Sequence, residues 1–326
     1  MTASAESVAP GLGGRRRRLG RVDPAVGAVF ALLIALTVVV AVQSPAFRSS
    51  DGLLGVVKQS TFLSVVAIGE FVVILGGGID LSVGSVAKLS ALLSASVMAG
   101  SNQRLLPAIA VALGVGLAVG TFNAVVITKL HVAPFVATFA SFYIVRGIAF
   151  TFSTGPTGAT SPGLYELYSL KWLGVDVVDY FLVVLWVVTA WCFNRMVIAR
   201  RVYAVGGNED AARLAGVRVP ALRSGTYVLC SVLASLAGVF QLMRAGVGDP
   251  TVGDGLELSA ITAVVVGGAS LTGGRGSIVG VCGGVLLLQV ITSAFDYLQL
   301  NSLYQQLIKG LIILAAVAIY RKEKVA

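Results

Sequence analysis

The sequence predicts an all-α membrane protein that crosses the bilayer about ten times. Hydrophobic residues make up 56% of the 326 residues and charged residues only 12%, whereas a soluble domain carries about 25% charge. The mean hydropathy is +0.91, and apolar runs long enough to span a bilayer recur along almost the whole chain. We therefore predict one membrane domain and no separate soluble catalytic domain.

The first element is a polar tail over 1–24 that carries five arginines. The next run, 25–42, has eighteen residues without a charge, which is too long for a signal peptide and predicts a retained first helix. Nine further spans are predicted, near 53–75, 82–100, 106–128, 134–153, 177–195, 222–243, 256–272, 277–297 and 302–320. The membrane domain thus covers 25–320, with an internal polar segment at 200–223 and a final tail at 321–326.

The distribution of lysine and arginine predicts the orientation. Ten spans place both termini and the segment 200–223 on the same side, and that side holds sixteen basic residues against five on the other. The positive-inside rule makes the first side cytoplasmic. The net charge of +9 therefore reflects orientation in a lipid bilayer, and no nucleic-acid partner is predicted. The longest outer loop, 154–176, is rich in turn residues and is predicted to re-enter or cover a mouth.

Catalytic and metal-binding motifs are absent from the sequence. The three cysteines lie far apart, and the single histidine, His131, has no nearby Cys, Asp or Glu. The patterns GxxxxGK[ST], GxSxG, HExxH and CxxC do not occur. We predict no enzyme activity, no metal and no cofactor, so that any energy for transport comes from another subunit.

Three glycine-rich stretches interrupt the helical pattern. They are GGGIDLSVGSV at 76–86, VGDPTVGDG within 246–255, and GGASLTGGRGSIVGVCGG at 267–284. In the first, the glycines end one span, and Asp80 or Ser82 can cap the next. Irregular backbone at membrane depth persists only when it is buried in protein or lines a path, so the stretches favour a transport pathway. The alternative is that the glycines merely allow close helix packing.

Polar and aromatic residues inside the spans are candidates for the lining of that pathway. Arg146 lies about 18 Å from the inner end of its span, and an ion pair with Glu70 is left open because the two differ in depth. Three amides can bond helix to helix: Asn123, Gln241 and Gln289. Alternatively, they line a path for a polyhydroxy solute together with three aromatic residues: Phe139, Phe142 and Tyr143.

The polar segment 200–223 carries a short helix signal. Asn208 can cap a helix that begins with two acidic residues, Gly216 can end it, and Glu209 and Arg213 stand four apart on one face. A second face is predicted to be an apolar stripe made of three residues: Ala211, Leu214 and Ala215. Such a short helix needs a surface to rest on, and the alternative is a solvated loop.

Four stretches together resemble the membrane permeases of ribose-type ATP-binding-cassette importers. They are GGGIDLSVGSV, the run 120–150, YAVGGNEDAARLAGVRV at 203–219, and ELSAITAVVVGGASLTGGRGSIVG at 257–280. The similarity covers about residues 25–320. Two positions depart from the family pattern, because Ser259 stands where Asp is frequent and Glu70 where an apolar residue is common.

The resemblance implies a type II importer-like permease in a bacterial inner membrane. It implies a homodimer with two cytoplasmic ATPase subunits and an extracytoplasmic binding protein, carrying a monosaccharide such as ribose or xylose. Branched-chain amino acids or nucleosides are the alternative cargo. A self-sufficient ion-coupled carrier is a further alternative, but the spans lack the chain of carboxylates or histidines that proton-coupled carriers use.

The resemblance also implies which residues act. Contacts to the ATPase fall on Gly206, Gly207, Asn208, Glu209, Ala212, Arg213 and Gly216. Gates are implied near Asp80 and near His131 to Pro134. The candidates for the pathway or its gates are Gly76, Gly77, Gly78, Asp80, Ser82, Gly84, Asn123, Pro134, Arg146, Glu257, Gly267, Gly268, Gly273, Gly274 and Gly276.

Overall fold

The computed structural model describes residues 24–311 except 252, 302, 303, 306 and 309. The predicted tails, apart from Pro24, and most of the tenth span lie outside the described residues. Within them the α-helices are α1 Pro24–Gln43, α2 Pro45–Arg48, α3 Ser50–Leu75, α4 Val83–Met98, α5 Leu105–Thr128, α6 Pro134–Phe152, α7 Pro162–Ser169, α8 Val177–Arg195, α9 Val197–Gly207, α10 Glu209–Leu214, α11 Val219–Ala245, α12 Leu256–Val266 and α13 Ile278–Tyr297. A 3₁₀ turn, Asn102–Arg104, precedes α5.

Seven described helices are long and apolar enough to cross a membrane: α1, α3, α5 with its preceding turn, α6, α8, α11 and α13. The remaining two predicted spans within the described residues are shorter. Helix α4 ends at Met98, and α12 ends at Val266 and not at 272, because Gly267 closes the helix and Gly268 takes a φ of 92°. The chain is an all-α, multi-pass membrane protein, as the sequence predicts.

Helix α11 lies at the centre of the bundle and packs against α3, α4 and α5. Small residues permit this packing: a Cβ on Gly120 of α5 would lie 2.7 Å from the Val228 Cα of α11. A Cβ on Gly238 of α11 would lie 2.2 Å from the Ala87 carbonyl oxygen of α4. Glycine therefore allows close helix packing at these two positions, which lie outside the three glycine-rich stretches.

The loop 154–176 packs over the end of α4. It contains α7 and a hairpin of two short strands, β1 Lys171–Trp172 and β2 Val175–Asp176. Ala159 donates its backbone N–H to the Ala95 carbonyl, and Thr160 donates to Gly246 at 2.9 Å. The loop thus ties the end of α4 to the second glycine-rich stretch.

The polar segment 200–223 contains the end of α9, all of α10 and the start of α11. The local predictions are confirmed, because Asn208 accepts the Ala211 N–H at 2.9 Å, Gly216 takes a φ of 82°, and Arg213 pairs with Glu209 at 2.8 Å. The predicted apolar stripe of Ala211, Leu214 and Ala215 does not pack against the bundle, because all three residues are exposed.

Ala212 is the buried residue of α10, and it packs with Val205 of α9 and Val219 of α11. Leu214 is 90% exposed. The reason is that the six-residue helix is held between α9 and α11, so its contacts to those helices, and not its own periodicity, select the inward face.

Candidate functional site

Three glycine pairs from distant parts of the chain meet at one point, which we call the glycine junction. The pairs are Gly76–Gly77 at the end of α3, Gly206–Gly207 at the end of α9, and Gly273–Gly274 in the loop after α12. Gly77, Gly273 and Gly274 have φ angles of 82°, 81° and 71°, which side chains rarely adopt. The sequence predicted these glycines as site residues, and the structure brings them together.

The backbones at the junction are in direct contact. Gly274 donates its N–H to the Leu75 carbonyl at 2.9 Å, which satisfies one of the open carbonyls at the end of α3. A Cβ on Gly206 would lie 1.9 Å from that same oxygen, and a Cβ on Gly274 would lie 2.5 Å from the Gly207 nitrogen. Any side chain at Gly206 would separate the polar segment from the end of α3.

Two tyrosines reinforce the same region. The Tyr203 hydroxyl of α9 donates to the Gly276 carbonyl at 2.9 Å. The Tyr227 hydroxyl of α11 lies against Gly78, where a Cβ would approach it to 2.1 Å. The third glycine-rich stretch is therefore hydrogen-bonded to α9, where the polar segment begins. The first stretch contacts α11, where the polar segment ends.

A buried polar network extends from the turn after the junction. Glu70 accepts the Asp80 N–H at 3.1 Å, and Asp80 accepts both the N–H and the hydroxyl of Ser82, at 2.9 and 2.6 Å. Asn123 donates to Ser82 at 3.0 Å and accepts from Ser141 of α6. Asn123 thus bonds helix to helix, which is one of the two roles that the sequence suggested.

The network corrects two expectations. Ser82 stands at the N-cap of α4 but makes no side-chain cap bond, because Asp80 takes its hydroxyl. Glu70 does not pair with Arg146. Its carboxylate lies near the C-terminal end of α3 and accepts the Asp80 backbone N–H. Glu70, which stands where the family commonly has an apolar residue, therefore stabilises this turn through its hydrogen bond to Asp80.

The two segments with implied gates touch each other. Pro134 begins α6, and the Thr138 hydroxyl of this helix lies 2.9 Å from the Pro134 carbonyl oxygen and 3.2 Å from the Ile79 carbonyl oxygen. His131, just before it, takes a φ of 56°, an uncommon backbone conformation for a residue with a side chain. The turn after α3 and the start of α6 are thus joined directly.

The second glycine-rich stretch is a re-entrant segment. A Cβ on Gly248 would lie 3.0 Å from the Leu92 Cα, and one on Gly253 would lie 2.5 Å from the Gly84 carbonyl oxygen. These two levels of α4 are about 12 Å apart, so the chain passes along the side of α4 between Gly248 and Gly253, and the described residues of this stretch are not helical. Helix α12 then begins at Leu256 within the bundle. Such an interrupted helix is typical of transport sites.

A charged cluster lies where the re-entrant segment meets α4. The Lys88 Nζ is 2.6 Å from the Asp254 Oδ1, and the Lys88 side chain is 1% exposed. Arg146 of α6 is 3.7 Å from the same oxygen and lies over the Phe142 and Phe150 rings, at 5.7 and 5.6 Å from their centroids. Arg146 is therefore partnered by protein although its side chain is 38% exposed, as expected for an arginine inside a span.

Glu257, in the first turn of α12, lies beside this cluster. It is buried, and its Oε2 has no hydrogen-bond partner among the residues that the structure describes. Gly84 makes room for it, because a Cβ there would lie 2.3 Å from this oxygen. Arg146, Gly84 and Glu257 were all predicted as pathway candidates, and the structure places them around Lys88 and Asp254.

Sequence reasoning missed Lys88 and Asp254 as a pair. A lysine inside an apolar span was itself a signal, since intramembrane ionisable residues tend to be functional. Asp254, 166 positions away, could be matched to it only once the re-entrant course of the segment was known. Tyr203 gave no comparable signal.

Three predicted glycines serve packing or turn geometry. A Cβ on Gly267 would lie 2.5 Å from the Gly280 carbonyl oxygen, where α12 meets α13, and Gly268 turns the chain away. A Cβ on Gly276 would lie 2.7 Å from the Phe71 ring.

The two further amides that the sequence suggested lie apart from this region. Gln289 is largely buried, and Gln241 lines a small cleft beside Lys58.

A helical bundle with a re-entrant segment, a half-length helix and a charged cluster at their meeting point defines the class of membrane permeases. Among the described residues, no group of three side chains has the composition and proximity of a metal site. The chain belongs to the family described as branched-chain amino acid transport system / permease component, whose model matches residues 52–317.

Similar curated proteins carry sugar names. The chain is 35% identical over 297 residues to the ribose import permease protein of Escherichia coli K12, covering 90% of this chain and 92% of the relative. It is 30% identical to the D-allose transport system permease protein of the same organism, covering 90% and 91%. It is 33% identical to the L-arabinose ABC transporter permease protein of Azospirillum brasilense, covering 86% and 83%. No solved structure matches the chain.

Proposed function

We propose that this chain is the permease subunit of an ATP-binding-cassette importer for a monosaccharide, acting in a bacterial inner membrane. The glycine junction carries the proposal, because it joins the polar segment 200–223 directly to the turn that begins the buried network. The family supports a permease role, and the names of the relatives favour a sugar over a branched-chain amino acid.

The pathway runs along α6. Phe135, Phe139 and Tyr143 are exposed on this helix at 56%, 44% and 58%, and Phe142 stacks beside them. Arg146 and Asp254 follow at the end of this aromatic face. An apolar wall with a few placed polar groups suits a solute that presents both C–H and O–H groups, as a sugar ring does.

A second copy of the chain closes the pathway. In a single chain the aromatic face of α6 is open, whereas a homodimer with the two α6 faces opposed would enclose a path between them. Two cytoplasmic ATPases and an extracytoplasmic sugar-binding protein complete the importer. The chain itself hydrolyses nothing.

The polar segment couples the ATPase to the pathway. Helix α10 buries Ala212 against its own bundle and presents Leu214 outward, which provides an aliphatic anchor for a partner groove. Glu209 is held by Arg213 and by Arg223, each at 2.8 Å, so α10 is fixed to α11. Movement of α10 then reaches the end of α3 through Gly206 and Gly274.

Reconstitution in proteoliposomes tests the proposal. Radiolabelled ribose, allose and arabinose are offered to vesicles that contain the chain with its ATPase and a binding protein. We expect uptake of at least one sugar only with ATP and all three components. Uptake by the chain alone, driven by a proton or sodium gradient, would show that it is a secondary carrier. ATP-driven uptake of leucine but of no sugar would assign the cargo to amino acids.

The proposed orientation predicts where the C-terminus lies. The sixteen-to-five division of basic residues places it in the cytoplasm. A fluorescent reporter that matures only in the cytoplasm, fused after Ala326, should therefore fluoresce, and alkaline phosphatase at the same position should be inactive. The opposite pair of results would reverse the orientation.

A further inference from the structure

An apolar groove of about 420 Å³ opens on the side of the bundle between α8, α9 and α11. Its walls come from the second half of α8, the first turns of α9, the first half of α11 and the last two turns of α3. They include Val72, Leu185, Met196, Ala199 and Leu229. The two threonines in the lining, Thr189 and Thr226, donate their hydroxyls to backbone carbonyls of their own helices. The groove therefore offers almost no free hydrogen-bonding group to an occupant.

The groove faces the bilayer. Val188, Ile198 and Leu229 line it and are 50%, 54% and 44% exposed. Trp191, 60% exposed on α8 one turn before its end, is the type of residue that marks a membrane interface. The groove thus lies in the leaflet next to the polar segment, which is the cytoplasmic leaflet in the proposed orientation.

Arginines stand at the interfacial end of this groove. Arg200 donates to the Arg195 carbonyl at 3.3 Å, which holds its guanidinium against the end of α8, next to Met196 of the groove wall. Arg195, Arg200 and Arg201 are exposed, and none forms an ion pair within the described part of the chain. Arg213 and Arg223, by contrast, are paired with Glu209. The groove mouth therefore carries unneutralised positive charge.

We propose that the groove binds an anionic phospholipid of the cytoplasmic leaflet. One acyl chain fills the apolar groove, and the phosphate lies on Arg195 and Arg200. Apolar walls that open to the bilayer beside uncompensated arginines match both halves of such a lipid, because basic pockets between membrane helices bind anionic head groups. A soluble organic anion would leave the apolar walls unfilled. This inference rests on the proposed orientation and not on the proposed cargo.

Native mass spectrometry of the purified chain tests the site. Protein from nanodiscs with equal phosphatidylglycerol and phosphatidylcholine of the same acyl chains is released, and the retained lipids are counted. Each juxtamembrane arginine strengthens the binding of an anionic lipid about fivefold. We therefore expect the preference for phosphatidylglycerol over phosphatidylcholine to fall about thirtyfold in the double variant R195Q/R200Q. The control Arg104→Gln, on the opposite side of the membrane, should keep it.

A second variant tests the groove itself. Gly225 lines the groove, and a Cβ there meets nothing within 4 Å, so Gly225→Leu fills the space without a clash. It should abolish lipid retention, whereas Gly114→Leu, at an equally open site on α5, should not. Equal retention of both lipids by the wild type, retention in Gly225→Leu, or displacement by free glycerol phosphate would overturn the proposal. Conversion of dimer to monomer by Gly225→Leu, without lipid loss, would assign the groove to a second copy.

Discussion

Replacing Gly206 with Ala is expected to abolish ATP-driven uptake, whereas replacing Gly114 of α5 with Ala is expected to leave uptake unchanged. The new Cβ at Gly206 would lie 1.9 Å from the Leu75 carbonyl oxygen and 2.6 Å from the Gly274 nitrogen, whereas ordinary contact begins at 3.4 Å. The methyl group would therefore enter the hydrogen bond that closes the glycine junction. Overpacking of this kind costs about 1–3 kcal/mol.

Gly114→Ala is the matched control, because Gly114 also lies within a helix. A Cβ at Gly114 would meet nothing within 4 Å. Within a helix, Ala stabilises the fold by about 0.5–1 kcal/mol relative to Gly. Loss of uptake in Gly206→Ala alone would therefore point to the junction and not to helix propensity. Membrane abundance and uptake are measured for both variants with the partner subunits. Wild-type uptake by Gly206→Ala would show that the contact is not needed for transport.

The second large effect is expected at Lys88 and Asp254. Asp254→Ala would leave the Lys88 ammonium buried, with Arg146 beside it, and removing one partner of a buried pair costs about 3–5 kcal/mol. Because Asp254 is 44% exposed, we expect the loss of folding stability to be somewhat smaller than this. Melting temperature and uptake should both fall in this variant and in Lys88→Met.

The double variant K88M/D254A separates stability from transport. Removing both charges also removes the unpaired ammonium, so the melting temperature should recover, while uptake should stay low because the pathway has lost its polar group. The same changes at Lys171 and Asp51, which pair at 3.4 Å with side chains 51% and 82% exposed, should cost at most about 1 kcal/mol. Additive losses in the Lys88–Asp254 cycle would mean that the two side chains do not interact.

Local chemistry was predictable from the sequence. The cap at Asn208, the Glu209–Arg213 pair and the breaks at the glycine-rich stretches follow from residue types over a few positions, and the structure contains all of them. The apolar spans were predictable because a bilayer requires a minimum helix length. The type of fold therefore followed from composition and short-range pattern.

Long-range placement was not predictable in the same way. The meeting of Gly77, Gly206 and Gly274 joins segments more than fifty positions apart, and glycine offers no side chain from which to infer a partner. The burial of Ala212 in place of Leu214 depended on two neighbouring helices. Asp254 reaches Lys88 only because the chain passes along the side of α4 before α12 begins, and periodicity cannot indicate such a course.

A partner ATPase that rests on α10 and moves the pathway through it should contact the outward side of Leu214. Leu214→Asp changes a side chain that is 90% exposed, so the fold of the chain should be unaffected. Leu173→Asp is the control, since Leu173 is 80% exposed in the hairpin of the loop 154–176. The yield of ATPase that co-purifies with each variant is measured at equal membrane abundance. We expect loss of the ATPase with Leu214→Asp and wild-type yield with Leu173→Asp. Wild-type yield with both variants would show that the ATPase does not rest on this side of α10.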